Sequence, residues 1–392
     1  MKLSHSSRGE GGRAVSAAET LAHVEPLAKV AGITRVADIT GLDRIGIFVF
    51  SSIRPTAQGG AISVYNGKGL TVEQAKVSAI MEGIERYCAE VHDRPLRREL
   101  AASAVRKGAL EPRALILPSG AEASLPYGPV AWTPGFDIEG GEVMVPANAV
   151  FHPYLPRGDV MLFRSSTNGL ASGNTMEEAV LHGLMELIER DAWSIAEARR
   201  RFRGGIDASG SEKISRVLDM FASNGVEVQL KDMTSDLGVP TVAAAADDVR
   251  MQDAGLLTLG MGTDMDAESA ALRALVEVAQ SRLTQIHGAR EDTTRADTNR
   301  QLGYERMKRL NAHWFSPEKE NTKLAEIPSL ETGDVLDDLV HVQFRLTVAG
   351  LGKVLFADLS RPEIEMPVVR VLVPGLECSA IDPDRMGRRL RR

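Results

Sequence analysis

Pairs of glutamates spaced three residues apart occur twice on similar segments of this sequence, and a Glu-x-x-Gln version occurs once more. The segments superpose without gaps: 67–86, 171–190 and 262–281. The first position of the pair is always glutamate, and the second is glutamate, glutamate and glutamine: Glu82, Glu186 and Glu277, then Glu85, Glu189 and Gln280. A helix that recurs with its acidic pair in a constant position indicates that several copies meet at one site.

Each acidic pair lies on one face of a predicted helix, because residues three or four apart are neighbours on a helix surface. The first copy aligns Ser78 with its pair, and the second aligns Glu178 and His182. Like charges at this spacing repel, and carboxylates beside apolar neighbours need compensation. A single pair would fit a solvated helix face, but the repetition favours a shared divalent cation, for which Mg²⁺ is the natural choice.

Arginine is the other group that compensates a carboxylate. Arg86 and Arg190 directly follow the two Glu-x-x-Glu pairs. Successive residues of a helix differ by about 100° around its axis, so we predict that these arginines point away from the acidic stripe.

Two segments that contain glycine lie directly before the first two repeated helices and suggest a phosphate site. Residues 66–69 read Asn-Gly-Lys-Gly, and residues 168–174 read Asn-Gly-Leu-Ala-Ser-Gly-Asn. Small residues let the backbone approach an anion at a helix N-terminus, and Lys68 adds positive charge. Either segment alone also fits an ordinary tight turn. With Arg282 available on the third helix, the pattern suggests a nucleotide with magnesium, although the P-loop motif GxxxxGK[ST] is absent.

The apolar pattern predicts an α/β protein in which strand–helix units recur. The repeated helices are expected at about 71–90, 175–203 and 267–287, with Thr71 and Gln74 as a capping box. Strands are expected at 45–53 and at 161–165, where the second directly precedes a repeated helix. A proline at position 26 predicts a break or late turn in a helix at 16–30.

We expect a flexible tail at residues 1–15 and one composite domain at 16–392. Glycine and proline punctuation predicts a β-rich insertion at about 101–160. A C-terminal segment at about 334–392 contains a predicted helix and two predicted strands.

The composition is that of a globular protein and excludes some classes of function. Of 392 residues, 43% are hydrophobic and 25% charged, and the net charge is −7, which argues against a nucleic-acid interface. No apolar run reaches the roughly 18 residues of a membrane span, and no secretory signal is evident, so we expect a cytoplasmic protein. Cys88 in the first repeated helix fits a buried apolar residue better than a catalytic thiol.

Several motifs, in order along nearly the whole chain, resemble those of the YcaO family. Residues 78–86 match SxxxExxER, residues 174–190 match an NxxxE helix that ends in a second ExxER, and residues 277–282 match ExxQxR. The SIRP, GKG and VRVLVPGLE stretches fit as well: 52–55, 67–69 and 369–377. Within the family, the sequence is most similar to the methanogen branch that forms thioamides.

The resemblance implies a YcaO-type fold whose repeated helices converge on one nucleotide site, with ATP and Mg²⁺ as cofactors. It assigns the magnesium and phosphate cluster to five glutamates: Glu82, Glu85, Glu178, Glu186 and Glu189. It assigns nucleotide contacts to five other residues, with Arg54 as a weaker candidate: Lys68, Ser78, Asn174, Gln280 and Arg282. It leaves the catalytic residue unknown.

The implied reaction is ATP-dependent activation of a peptide backbone amide. A sulfide nucleophile adds to the carbonyl carbon, the resulting oxyanion attacks the γ-phosphate of ATP, and phosphate then leaves with the oxygen to give C=S. In the methanogen branch the substrate is a glycine in the α subunit of methyl-coenzyme M reductase. The resemblance also implies an external sulfide donor and a homodimer, and some members work with a TfuA partner protein.

Two alternatives remain open at this stage. An azoline-forming cyclodehydratase of the same family would use a Cys, Ser or Thr side chain of the substrate as nucleophile. Such enzymes often have a proline-rich C-terminus and a fused peptide-clamp domain, whereas this sequence ends in MGRRLRR and has few residues before its first helix. These differences favour the expectation of thioamidation. The other alternative is a non-catalytic protein that binds a nucleotide.

Overall fold

The computed structural model describes residues 1–9, 13–291 and 293–391. The α-helices, in chain order, are α1 Ala17–Val30, α2 Val72–Ala89, α3 Ala101–Arg106, α4 Ala121–Ser124, α5 Ala147–Val150, α6 Met176–Arg199, α7 Glu212–Ala222, α8 Ala267–His287, α9 Thr294–Leu302, α10 Tyr304–Leu310, α11 Ala312–Phe315 and α12 Val335–Val348. The strands are β1 Arg35–Asp38, β2 Phe48–Ile53, β3 Val64–Gly69, β4 Arg97–Leu100, β5 Pro129–Asp137, β6 Glu142–Pro146, β7 Leu170–Ser172, β8 Gly204–Asp207, β9 Glu227–Asp232, β10 Thr241–Asp247, β11 Thr258–Thr263, β12 Asn321–Lys323, β13 Leu355–Asp358 and β14 Val368–Leu372.

The strands of the described residues form three separate sheets, which confirms the predicted α/β class. Their orders are β1-β2-β3, β11-β10-β9-β8-β12, and β4-β5-β13-β14-β7 with β6 paired to β5. Among the described strands the pairings are antiparallel, apart from the parallel pair of β12 with β8. The strands that precede the repeated helices, namely β3, β7 and β11, each lie at the edge of a different sheet.

The three strand–helix units contact one another in a closed ring. Helix α8 of the third unit contacts β3 of the first, α2 of the first contacts β7 of the second, and α6 of the second contacts β11 of the third. Each repeated helix therefore packs against its own strand and against an edge strand of another sheet. This ring brings the acidic faces of the three helices together.

Glycine–alanine packing permits the close approach of each strand to its helix. A Cβ on Gly67 would overlap the backbone nitrogen of Ala79 and would lie 2.5 Å from the carbonyl oxygen of Ala75. A Cβ on Gly173 would lie 2.6 Å from the backbone nitrogen of Ala179. The interpretation of residues 66–69 as a turn was wrong, because they lie within β3, where small size rather than turn geometry is required.

The repeated helices begin at capping residues, but the capping box predicted for Thr71 and Gln74 is only half formed, because the Gln74 side chain accepts from the Leu70 N–H at 3.0 Å instead of from Thr71. The Thr71 hydroxyl accepts a hydrogen bond from the Gln74 backbone N–H at 3.2 Å, and the Thr175 hydroxyl accepts one from Glu178 at the same distance. In the third unit, Asp266 accepts from the Ser269 backbone N–H at 2.8 Å. These bonds satisfy N–H groups that have no partner inside the helix.

Two local predictions were wrong. The strand expected at 161–165 is absent, and the strand before the second repeated helix is β7, in which Ser172 pairs with Val368 of β14. The Asn148 side chain instead binds the backbone around residue 162, accepting from the Leu162 N–H at 2.7 Å and donating to the Phe163 carbonyl at 3.1 Å. Helix α1 also continues through Pro26, because a single missing N–H does not outweigh its packing on α2.

Segments outside the repeated units pack around the ring. The region 101–160 contains the expected hairpin of β5 and β6, but also the short helices α3, α4 and α5. Of the residues expected to form a flexible tail, 10–12 lie outside the described part of the chain. Leu3 is buried, and the Ser4 backbone N–H donates to Glu177 at 2.7 Å. Among the described residues, no helix is both long enough and apolar enough to cross a membrane.

Candidate nucleotide and metal site

Polar contacts to glutamates of the acidic pairs join the repeated units. The Lys68 ammonium on β3 lies 2.5 Å from a carboxylate oxygen of Glu277 on α8. The Ser172 hydroxyl on β7 donates to Glu85 on α2 at 2.6 Å. Lys68 and Ser172 occupy equivalent positions in the aligned units. The same position of the repeat is therefore used twice to reach a glutamate of a neighbouring unit.

The arginines that follow the acidic pairs turn back towards them. Arg86 pairs with Glu82 at 3.0 Å, and Arg190 lies 3.8 Å from Glu186 and 3.7 Å from Glu189. The prediction that these arginines point away was wrong, because a long side chain reaches the residue four positions earlier on the same helix. The site therefore contains basic groups beside its carboxylates.

Three buried carboxylates of the first two units, those of Glu85, Glu186 and Glu189, have too little positive charge nearby to offset the cost of burial. Burial, together with the negative charges of Glu82 and Glu186, raises the pKa of Glu85 to about 8 even though Ser172 donates to it. Burial raises the pKa of Glu189 to about 7 against the opposing effect of Arg190, and it also raises the pKa of Glu186. A bound cation would stabilise the ionised forms of these groups.

The third unit differs because the protein itself supplies the compensating charge. Burial alone would raise the pKa of Glu277, but Lys68 and Arg190 outweigh it and lower the pKa below its ordinary value. Glu277 thus already has a cationic partner in this structure. The glutamates of the first two units remain the better candidates for metal ligands.

The site is open to solvent despite its burial within the ring of units. The side chains of Lys68, Glu82 and Glu186 are 24%, 21% and 26% exposed, and Glu189 is 8% exposed. Such partial exposure of charged groups surrounded by protein is typical of the wall of a cleft. A ligand can therefore reach the carboxylates.

The Glu178 carboxylate lies at the start of α6 and already accepts backbone hydrogen bonds. One oxygen accepts from the Ala14 N–H at 2.5 Å, and the other accepts from the Asn174 N–H at 2.9 Å. The Asn174 side-chain oxygen in turn accepts from the Thr20 hydroxyl at 3.0 Å. In this structure Glu178 and Asn174 thus anchor the chain before and within α1.

Of the other residues predicted to contact the nucleotide, some lie near the acidic cluster and one is buried in the protein interior. Ser78 is half-buried one turn before Glu82, and Gln280 on α8 donates its amide to the Asn66 carbonyl on β3. Arg282 is fully buried and binds two carboxylates, Asp43 at 2.8 and 3.1 Å and Asp248 at 3.0 Å. Only its NH1 atom lacks a partner among the described residues.

Arg54 is also engaged by the protein. Its buried guanidinium forms an ion pair with Glu90 and donates to the Tyr65 hydroxyl at 3.3 Å. Tyr65 in turn lies beside Arg86, whose guanidinium is 5.8 Å from the centre of the tyrosine ring. Tyr65 therefore lies between Arg54 and Arg86, so in the described part of the chain Arg54 contacts the site only through Tyr65.

Comparison with known proteins identifies the family. The sequence model described as YcaO cyclodehydratase, ATP- and Mg²⁺-binding, matches residues 66–377. The chain belongs to the YcaO family. This match confirms the resemblance, and it confirms ATP and Mg²⁺ as the cofactors of the family to which the chain belongs. YcaO proteins of this type are ATP-dependent enzymes.

Relatives of this YcaO chain match it over nearly its whole length. An uncharacterized protein of Methanothermobacter thermautotrophicus is 51% identical over 383 residues, which cover 97% of this chain and 98% of that protein. An uncharacterized protein from the tfuA 3' region of Rhizobium leguminosarum bv. trifolii is 33% identical, covering 93% of this chain and 88% of that one. YcaO from Methanopyrus kandleri, solved with AMPPCP and Mg²⁺, superposes with a TM-score of 0.80 at 32% identity and covers 98% of each chain.

The donor set of this YcaO chain fits magnesium that arrives with a nucleotide. Among the described residues, no three of the five predicted glutamate ligands bring their oxygens within 4.8 Å of one another, so they do not form a closed cage. Mg²⁺ is usually bound by one or two carboxylates together with substrate phosphates and water. Separated, desolvated carboxylates beside basic groups match that mode of binding.

Sequence reasoning missed one residue of the site. Ser172, the donor to Glu85, lies within the glycine-containing segment 168–174, and no role was predicted for its hydroxyl. The repeat alignment places it in the column of Lys68, and that alignment could have indicated its position. It could not have indicated the partner, because Ser172 and Glu85 belong to different units and meet only through the ring.

Proposed function

We propose that this YcaO chain is an ATP-dependent ligase that converts a peptide backbone amide into a thioamide, giving peptidyl thioglycine. The observation that carries the proposal is the set of desolvated carboxylates on α2 and α6 that lie close enough to affect one another's pKa, with Arg190 and Lys68 nearby. Such a cluster suits a metal–nucleotide complex with three negatively charged phosphates. The proposed substrate is a glycine in the α subunit of methyl-coenzyme M reductase.

In this proposal the glutamates of the first two units hold the metal ions. Bound Mg²⁺ would neutralise charge on the phosphoryl group during its transfer. Lys68 would exchange Glu277 for a phosphate oxygen, because a phosphate offers more negative charge than one carboxylate. Ser78, Asn174, Gln280 and Arg282 are proposed to complete the nucleotide contacts.

The reaction balances with hydrosulfide as the nucleophile. Its sulfur forms a bond to the peptide carbonyl carbon, and the carbonyl oxygen becomes an oxyanion that bonds to the γ-phosphorus as ADP leaves. The C–O bond then breaks with release of phosphate, and loss of the S–H proton leaves C=S. The products are the thioamide, ADP, phosphate and a proton.

Support for the thioamide branch comes from the sequence motifs and from the relatives. The 51% identical protein is from Methanothermobacter thermautotrophicus, and the similar YcaO structure is from Methanopyrus kandleri. The Rhizobium relative takes its name from the tfuA region, which supports a TfuA-type partner. We also propose a cytoplasmic homodimer that receives sulfide from an external donor.

The test is an assay with a glycine-centred peptide, sodium hydrosulfide, ATP and Mg²⁺, followed by mass spectrometry and measurement of ADP. We expect a product heavier by the difference between sulfur and oxygen, formed with one ADP per thioamide. Glu82→Gln and Glu186→Gln should abolish both signals. Glu73→Gln is the matched control, because Glu73 is an exposed residue of the same helix α2.

Other outcomes would identify the alternatives. Loss of one water from a peptide that contains Cys, Ser or Thr, with no sulfur incorporation, would indicate an azoline-forming cyclodehydratase. ADP production that is the same in Glu82→Gln, Glu186→Gln and the wild type would show that the acidic cluster is not catalytic.

A further inference from the structure

A small cavity lies beside α6 and is lined by Leu187 of that helix. Its volume is about 50 Å³, and its polar lining includes Asn168, Arg370, Glu377, Cys378 and Arg385. A buried water needs roughly 10–15 Å³ of such space, so the cavity has room for a few water-sized atoms. A peptide or a nucleotide is too large for it.

Arg370 is a buried cation in the wall of this cavity. It is 1% exposed, and it donates to three backbone carbonyls, those of Val150 at 2.9 Å, Asn168 at 2.6 Å and Ser166 at 2.5 Å. A guanidinium carries five N–H donors, so two are left over after these three bonds. Carbonyl partners are neutral and add no negative charge, and burial lowers the pKa of Arg370 to about 9 against the opposing effect of Glu186.

Arg385 adds a second guanidinium to the same cavity. It donates to the carbonyls of Ile116 at 2.9 Å and Leu115 at 2.6 Å, and it lies 3.8 Å from the centre of the Phe163 ring. The carboxylate in the lining is Glu377, whose oxygens accept from the backbone N–H groups of Gly387 and Arg389. Two guanidinium groups and one carboxylate leave one excess positive charge.

The cavity also contains an acceptor without a donor. The side-chain oxygen of Asn168 is buried and has no hydrogen-bond partner among the residues that the structure describes. An unsatisfied buried acceptor is unfavourable unless a ligand or a water supplies a donor. The excess positive charge of the lining residues and the unpaired Asn168 oxygen together favour a small monoanion that carries one hydrogen. Hydrosulfide has this combination. A halide supplies the charge alone, so it can occupy the cavity beside the guanidinium groups but leaves the Asn168 acceptor unpaired, and water lacks the charge.

The cavity adjoins the nucleotide site. Leu187 lines the cavity and is the residue after Glu186 on α6. Arg370 and Glu186 are close enough for each to affect the pKa of the other. His152 lies near both Arg370 and Arg86, and burial together with these two cations lowers its pKa to about 4. Two cations, Arg370 and Arg86, therefore lie near His152 between the cavity and the acidic cluster.

We propose that this cavity is the binding site for hydrosulfide, held between Arg370, Arg385 and the Asn168 side-chain oxygen, beside the helix α6 that carries Glu186. The assignment of the anion as the nucleophile rests on the proposed function. Cys378 is not needed as a sulfur carrier, because burial raises the pKa of its thiol and keeps it protonated.

Bromide tests the anion site without any need for activity. Crystals of the full chain soaked in sodium bromide should show an anomalous peak in the cavity beside Arg370 and Arg385. Asn168→Asp, which is nearly isosteric and cancels the excess charge, should remove that peak. Absence of the peak in the wild type, or its persistence in Asn168→Asp, would overturn the proposal.

Kinetics with sodium hydrosulfide test the identity of the anion. Asn168→Asp should raise KM for sulfide by about tenfold or more and leave KM for ATP within about twofold. Asn321→Asp, at an exposed position of the edge strand β12, is the matched control and should change neither value. Equal rises in both KM values would indicate a structural defect and refute the assignment. If wild-type protein binds bromide but forms no thioamide, the proposed function fails while the anion site stands.

Discussion

Lys68 on β3 forms an ion pair with Glu277 on α8 at 2.5 Å, which joins the first and third strand–helix units. The pair accounts for a difference between the acidic groups. Glu277 has a cation of its own, whereas burial raises the pKa values of Glu85 and Glu189. In the proposed function, the lysine that compensates the third unit is also the one that receives a phosphate.

Lys68→Met should weaken nucleotide binding far more than it destabilises the fold. We expect the affinity for a non-hydrolysable ATP analogue with Mg²⁺ to fall about 10- to 100-fold, because hydrogen bonds to charged groups contribute about 1.5–3 kcal/mol. The free energy of unfolding should fall by only about 1 kcal/mol or less, since the pair is partly exposed. Titration calorimetry and urea unfolding measure the two effects.

The control for this prediction is Lys76→Met, which removes a lysine from the exposed side of α2 where it pairs with Glu25. Its nucleotide affinity should equal that of the wild type. Unchanged affinity in Lys68→Met as well would remove Lys68 from the site.

Ser172→Ala should weaken magnesium-dependent nucleotide binding about tenfold, because groups that orient metal ligands typically contribute 10- to 100-fold in affinity. The mutation removes the donor to Glu85 and leaves a buried carboxylate without its 2.6 Å hydrogen bond. Calorimetric titration of Mg²⁺ in the presence of the ATP analogue provides the measurement. Ser223→Ala, whose hydroxyl bonds to an exposed backbone carbonyl of α7, should behave as the wild type; a similar loss in both variants would argue against a specific role.

Asp43→Asn should lower the free energy of unfolding by about 3 kcal/mol, because removal of one member of a buried ion-pair network leaves an uncompensated charge. Asp43 accepts two hydrogen bonds from Arg282, which is fully buried. Urea unfolding should show the loss, while Asp297→Asn on an exposed face of α9 should show none. A variant as stable as the wild type would mean that Asp43 does not hold Arg282 in place.

Gly67→Ala should destabilise the protein by about 3 kcal/mol or more, at the upper end of the effects of overpacking. The added methyl group would overlap the backbone of α2, which cannot move without disturbing the acidic pair. Gly210→Ala is the control, because no atom lies within 4 Å of the added Cβ. Thermal unfolding of both variants checks the prediction, and similar melting temperatures would contradict the close packing of β3 on α2.

Much of the local structure could be predicted because it depends on near neighbours in the chain. The helix α8 begins and ends at the expected residues, and its cap at Asp266 involves a residue three positions away. The orientation of Arg86 could not be predicted from helix spacing. Spacing gives the direction in which a side chain leaves the helix, but it does not give the position of the guanidinium group at its end. The ion pair with Glu82 depends on the length and flexibility of arginine.

The sequence by itself determined the repeat, the acidic pairs, the helix caps and the membership of the YcaO family, since these are properties of short, continuous segments. Only the tertiary structure decided that the units close into a ring, that Lys68 compensates Glu277, and that Arg282 is held by Asp43 and Asp248. Each of these pairings joins residues far apart in the chain. Such contacts arise from the packing of three edge strands and three helices, which no local pattern encodes.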